Sequence, residues 1–100
     1  MNEYLNLIPA DTIKYLQVRN INNLSSNNIK YGDILIYKDI KNNLPFIDGI
    51  YILKCNGKLT PYNIFCERIT KEYYVIIDGE KIIIEKNNII GFVVGMCRMI

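Results

Sequence analysis

The chemistry available to this chain is limited first by a missing residue type, since its 100 residues contain no histidine. Histidine is the commonest general base and the commonest metal ligand in proteins. Any catalysis would therefore need a lysine or a carboxylate as its base. The hydroxyl groups of Ser25 and Ser26 lie in a polar, turn-forming stretch, where serine side chains usually bond nearby backbone amides.

The sulfur chemistry is limited in a similar way. The three cysteines, Cys55, Cys66 and Cys97, are odd in number and form no Cys-x-x-Cys pair. This pattern argues against a zinc site and against a complete disulfide framework. We therefore expect three free thiols in a reducing, cytoplasmic setting, with no metal and no cofactor.

Charge and hydropathy exclude two further classes of partner. The formal net charge is +2, with lysines and acids interspersed, so no basic stripe is available to follow a phosphate backbone. Direct contact with nucleic acid, as by a small nucleic-acid-binding β-barrel, is not expected. The longest apolar runs, near Ile89 to Met96, are too short to span a bilayer, and we expect no membrane association.

The length and composition suit one domain with one core, because half of the 100 residues are hydrophobic. We assign residues 1–100 to this domain. Its N-terminal segment, residues 1–16, is broken by Pro9 and has no clear element. A first strand is predicted from Leu16 to Ile21, where apolar and polar residues nearly alternate.

A second strand is predicted after the Gly32-Asp33 turn. The run Ile34–Tyr37 is β-branched, aliphatic and aromatic, and it is too short for an ordinary helix. The preceding stretch, residues 22–28, is rich in asparagine and serine and is predicted to be a loop.

Two hairpins are predicted from turn dipeptides that accept positive φ. Asn56-Gly57 lies within the first, residues 50–60, and Asp78-Gly79 lies within the second, which runs from residue 73 to residue 84. Pro61 is expected to limit the return strand of the first hairpin. A final strand is predicted from Ile89 to Met99. The expected fold is mostly β: one small domain of hairpins and a curled sheet.

Three phrases of this sequence resemble the LexA and phage-repressor S24 peptidase domain. They are residues 29–39 (IKYGDILIYKD), residues 48–53 (DGIYIL) and residues 90–98 (IGFVVGMCR), and they come in the order found in that family. The resemblance implies a fold like that of LexA and signal peptidase. It also implies a site built from a serine nucleophile and a lysine base.

The resemblance places both members of that dyad on residues that cannot do the chemistry. Counting eight positions back from Gly32, as the family's serine loop implies, gives Leu24. Matching Arg68-Ile69 to the family's Arg-Leu phrase puts Glu67 on the lysine, which acts as a neutral amine. The resemblance therefore implies a catalytically inactive domain, serving self-association or partner binding in a repressor-like transcriptional regulator.

An active peptidase is the alternative. A shift of the loop by one or two residues would bring Ser25 or Ser26 to the nucleophile position. A displaced lysine, Lys54, Lys58 or Lys71, would then have to supply the base.

The last strand suggests where a second copy of the chain would bind. Read with period two, one face carries bulky side chains that should fill the core, and the other is low and apolar. The family commonly pairs through its C-terminal region, so we expect a homodimer that uses the low face; the alternative is that residues 1–16 of the same chain fold over it. The bulky residues are Ile90, Phe92, Val94 and Met96, and the predicted interface residues are Gly91, Val93, Gly95 and Cys97.

Overall fold

The computed structural model describes residues 13–19, 29–40 and 44–98, and it is mostly β as the sequence predicted. A short 3-10 helix, Lys86–Asn88, precedes the last strand. The strands are β1 (Ile13–Gln17), β2 (Ile34–Asp39), β3 (Gly49–Cys55), β4 (Lys58–Glu67), β5 (Glu72–Ile77), β6 (Glu80–Ile84) and β7 (Ile89–Cys97).

The seven strands form one sheet in the order β1-β2-β7-β3-β4-β5-β6, with every neighbouring pair antiparallel. The last strand in sequence therefore lies inside the sheet, between β2 and β3. Strands β1 and β6 are the two edges of the sheet within the described residues.

Both hairpin predictions are confirmed. Asn56 and Gly57 have φ of 52° and 79°, and Asp78 and Gly79 have φ of 52° and 80°. Positive φ at both central residues is the geometry of a type I′ turn, which matches the twist of the flanking strands.

The prediction that Pro61 limits the return strand is wrong, because the ten-residue strand β4 runs through Pro61 and ends at Glu67. Pro61 lies opposite Ile52 on β3. The pair of Cys55 and Lys58 closes this two-residue hairpin and exchanges hydrogen bonds, and every second pair along the strands does the same. The pair of Ile52 and Pro61 is one of the pairs in between, which do not exchange hydrogen bonds. Strand β5 pairs with β4 only from Phe65 to Glu67. The missing N–H of Pro61 therefore removes no ladder bond on either side.

The predicted first strand is placed too late in the chain. Strand β1 runs from Ile13 to Gln17 and pairs with β2, from Ile13 opposite Lys38 to Gln17 opposite Ile34. The predicted C-terminal limit, Ile21, lies outside the described residues.

The sheet packs apolar side chains against both of its faces. Tyr51 and Leu53 of β3 point to one face, and Ile52 between them points to the other. The first cluster contains Ile40, Tyr51, Leu53, Ile64, Tyr73, Val75 and Ile89. The second contains Val18, Ile29, Leu35, Tyr37 and Ile52.

Strand β7 does not keep the simple alternation that the sequence suggested. Its pairing shifts by one residue opposite Ile52/Leu53 of β3 and again opposite Ile36/Tyr37 of β2. Such bulges insert an extra residue and exchange the faces of the residues beyond. As a result Phe92 packs against the first cluster, but Val94 and Met96 are 56% and 40% exposed. The prediction that the whole bulky set fills the core is wrong for these two residues.

Candidate functional site

One end of the sheet holds the base of the loop to which the resemblance assigns the nucleophile. The N–H of Val18 donates to the carbonyl oxygen of Asp33 at 2.7 Å, and the N–H of Gly32 donates to that of Val18 at 2.8 Å. These bonds bring the two ends of the loop together. Leu24, Ser25 and Ser26 themselves lie outside the described residues.

An ion pair between the buried Asp33 carboxylate and the more exposed Arg98 side chain lies at the same end of the sheet. Arg98 donates from Nε to Oδ1 of Asp33 at 2.9 Å and from a terminal nitrogen to Oδ2 at 2.8 Å. The backbone N–H of Lys30 donates to the same Oδ2 at 2.9 Å. Side-chain bonds from Arg98, followed by the bond from Lys30, lower the pKa of Asp33 to about 2. The carboxylate is charged at neutral pH and ties the end of β7 to the turn before β2.

Glu67, which the resemblance aligns with the family's lysine, lies at the same end of the sheet. It is the last residue of β4 and pairs across to Glu72 on β5. Its carboxylate accepts one long bond, from the N–H of Ile69 at 3.5 Å. Three strand spacings separate β2 from β4, or about 14 Å. The sheet therefore places Glu67 and the loop base at a common end, as a shared site would require.

The three lysines of the active alternative are spread over the molecule. Lys54 and Lys58 flank the β3–β4 turn, at the opposite end of β4 from Glu67 and roughly 30 Å away along the strand. Lys71 is close to Glu67, because its N–H donates to the Glu67 carbonyl oxygen at 2.8 Å. Its Nζ lies 5.5 Å from the centre of the Phe46 ring. Only Lys71 of the three is near the expected base position.

An open cavity of about 470 Å³ lies beside Glu67. Arg68 and Lys71 give its lining two positive charges, and Asp48 gives one negative charge. Asp48 Oδ1 accepts the N–H of Cys66 at 2.8 Å. Burial, with a smaller effect of Asp48, raises the pKa of the Cys66 thiol. Cys66 is therefore protonated at neutral pH and is not an activated nucleophile.

A larger open cavity, of about 580 Å³, lies at the opposite end of the sheet. Lys14, Lys54 and Lys86 contribute to its lining together with Asp39, whose Oδ2 is 3.6 Å from the Lys14 Nζ. Its described lining includes Lys54, a candidate base of the active alternative, but not Glu67.

The predicted interface residues of β7 lie in different surroundings. Gly91 is buried under the Tyr37 ring, and a Cβ at Gly91 would come within 2.9 Å of Tyr37 Cε2. The chain itself therefore covers Gly91. Val93 is half-buried against the second cluster, and Cys97 is exposed. The interface at Val93, Gly95 and Cys97 stays a prediction.

Two tyrosine hydroxyls hold the segment before β3, which sequence reasoning did not single out. Tyr51 donates to the carbonyl oxygen of Ile47 at 2.6 Å, and Tyr73 donates to that of Pro45 at 2.9 Å. Burial is the main cause that raises the pKa of both tyrosines. A tyrosine in an otherwise apolar strand is the one signal in the sequence for such a contact, because a buried phenol needs an acceptor.

Three findings complete the description of the site. Within residues 13–19, 29–40 and 44–98, no group of three or more histidine, cysteine or acidic side chains is arranged to hold a metal ion. The same residues contain no helix with the length and apolar character needed to cross a membrane. Comparison of the sequence with models of protein families and with curated protein sequences finds no match.

Proposed function

We propose that this protein is a catalytically inactive S24-like domain that acts in self-association or in binding another protein, as part of a repressor-like regulator of transcription. The observation that carries the proposal is the position of Glu67. The resemblance aligns it with the family's lysine base, and it ends β4 at the same end of the sheet as Val18 and Asp33. An acid there cannot act as the neutral amine that deprotonates a serine in this family.

The surface supports a binding role. Large apolar side chains are exposed on the neighbouring strands β5 and β6, including Ile76 at 41% and Ile83 at 46%. Exposed apolar groups on neighbouring strands are typical of surfaces that contact other proteins. An inactive domain that keeps such a surface would act by association.

The test of inactivity is incubation of the purified protein, alone and with a repressor linker peptide, at neutral and alkaline pH. Mass spectrometry should find both the chain and the peptide intact. Cleavage that Ser25→Ala or Ser26→Ala abolishes would overturn the proposal.

The active alternative is favoured by one observation, the position of Lys71 next to Glu67. In that case Lys71→Ala should abolish cleavage, because it removes the amine that would act as the base. Lys58→Ala is the matched control, since Lys58 lies at the far end of β4.

A further inference from the structure

Strand β6 has an unused hydrogen-bonding edge. It is the terminal strand of the sheet, and within the described residues no strand pairs with its outer side. Its pairing with β5 is continuous from Ile77 opposite Glu80 to Tyr73 opposite Ile84. No proline and no bulge interrupts it, although these are devices that protect edge strands from pairing with another chain.

The type I′ turn determines which backbone groups point outward. The pair that closes a two-residue hairpin, here Ile77 and Glu80, exchanges hydrogen bonds, and alternate pairs do the same. Glu80, Ile82 and Ile84 therefore direct their N–H and C=O groups toward β5. The groups of Lys81 and Ile83 point to the open side. Glu85, which is still extended with φ −71° and ψ 132°, directs its N–H to the same side, while its C=O accepts the N–H of Asn88 at 3.0 Å.

The side chains along this edge are apolar in the middle and charged at each end. Ile82 and Ile83 are 41% and 46% exposed. Lys81 precedes them, with its Nζ 4.5 Å from the centre of the Tyr74 ring, and Glu85 follows them. The strand thus has a positive charge two residues before Ile83 and a negative charge two residues after it.

We propose that β6 pairs antiparallel with β6 of a second copy of this chain, in the register that places Ile83 opposite Ile83 on the two-fold axis. Lys81 of each copy then lies opposite Glu85 of the other copy, and Ile82 of each copy lies opposite Ile84 of the other. The N–H and C=O groups of Ile83 bond to those of Ile83 in the other copy, and the N–H of Glu85 donates to the C=O of Lys81 in the other copy. A two-fold axis makes every such contact occur twice.

The charges favour this register over its neighbours. In the two neighbouring registers, either Lys81 lies opposite Ile83 or Ile83 lies opposite Glu85. Neither of these registers forms the Lys81–Glu85 pairs. Parallel pairing in register would place Lys81 against Lys81, and like charges directly opposite each other are destabilising. The inference rests on the proposed self-association function, for which it names the surface.

The same pairing would join two apolar faces. Phe65 and Tyr74 lie on the Ile83 side of the hairpin, with ring centres 5.6 Å apart, and Ile76 lies beside them. In the dimer this patch continues across the two-fold axis onto the second copy. The contact is short, so we expect a weak dimer at the small end of specific interfaces.

The test uses two charge reversals, each of which should weaken the dimer alone, whereas a mixture of the two variants should restore it. In Lys81→Glu every cross-strand charge pair becomes acid against acid, and in Glu85→Lys every pair becomes lysine against lysine. Each variant should raise the dimer dissociation constant at least about tenfold over the unchanged protein. An equimolar mixture should form the heterodimer, because both of its cross-strand pairs are attractive. Sedimentation equilibrium from micromolar to millimolar protein measures each state.

The controls separate this inference from the function on which it rests. Lys58→Glu changes the net charge as Lys81→Glu does, but at the β3–β4 turn, and should leave dimerisation unchanged. A dimer unaffected by either reversal, or a mixture that stays monomeric, would overturn the β6 pairing while leaving self-association intact. A monomer of the unchanged protein at every concentration would overturn both.

Discussion

Arg98 and Asp33 meet across 65 positions of sequence and form a two-bonded ion pair whose carboxylate is almost completely buried. The pair joins the end of β7 to the turn that begins β2. It also lies beside the backbone bonds between Val18 and the Gly32-Asp33 turn.

The first prediction concerns acid stability. The folded pKa of Asp33 is lowered from 3.8 to about 2, so its charged form stabilises the fold above the unfolded pKa. This stabilisation is lost as the pH falls from about 4 through 2. Asp33→Asn should be less stable than the unchanged protein at pH 7, and most of the difference should vanish by pH 2. Urea unfolding over this range measures it, with Glu80→Gln as an exposed control. Parallel acid profiles for the unchanged protein and Asp33→Asn would contradict the prediction.

The second prediction compares two glycines of β7. Gly91→Ala should lower the free energy of unfolding by about 1–3 kcal/mol, because the new Cβ overlaps the Tyr37 ring. Gly95→Ala is the matched control, since its Cβ would lie 3.6 Å from Ile36 Cδ1, an ordinary contact. It should change stability by less than about 0.5 kcal/mol. Equal losses for the two variants would show that Tyr37 does not cover Gly91.

The third prediction concerns Tyr51. Loss of its hydroxyl in Tyr51→Phe should cost about 1 kcal/mol at pH 7, because the Ile47 carbonyl oxygen loses its donor. The raised pKa adds a dependence on alkaline pH. The stabilisation that comes from the neutral Tyr51 hydroxyl is fully present below its unfolded pKa of 10.0, and it is lost as the pH rises above that value. The unchanged protein should therefore lose more stability from pH 9 to 11 than Tyr51→Phe does.

Tyr31→Phe is the control for that series, since Tyr31 is 68% exposed. Thermal unfolding at both pH values gives the comparison. An alkaline slope that Tyr51→Phe leaves unchanged would argue against the contribution assigned to Tyr51.

The fourth prediction concerns the thiols. Cys55, Cys66 and Cys97 are all free, as the sequence predicted. Cys55 and Cys97 are exposed and should react with iodoacetamide first. Cys66 should react more slowly, since it is partly buried and its pKa is raised. Mass spectrometry of the native protein should show two fast modifications, and the denatured protein should show three. Fast labelling of Cys66 in the native state would count against the raised pKa.

Local turn chemistry explains what the sequence could predict. Asn56-Gly57 and Asp78-Gly79 specify hairpins because few other dipeptides accept positive φ twice. The pairing of β7 between β2 and β3 could not be predicted, since it joins residues far apart in sequence. The exposure of Val94 could not be predicted either, because a bulge depends on the partner strand. Of the candidate site, the resemblance named Glu67, whose role stays a prediction, whereas the Asp33–Arg98 pair depends on tertiary contacts.

The central position of β7 also determines the order in which the fold can be completed. While the chain is being synthesised, β1 can pair with β2, and β3 through β6 can form successive hairpins, but among the described residues no strand pairing joins these two groups until β7 emerges. Folding that awaits such long-range pairing is slow, and the waiting halves expose their apolar faces. A chain stopped just before Ile89 should therefore yield two separate, aggregation-prone halves rather than a slightly shortened domain.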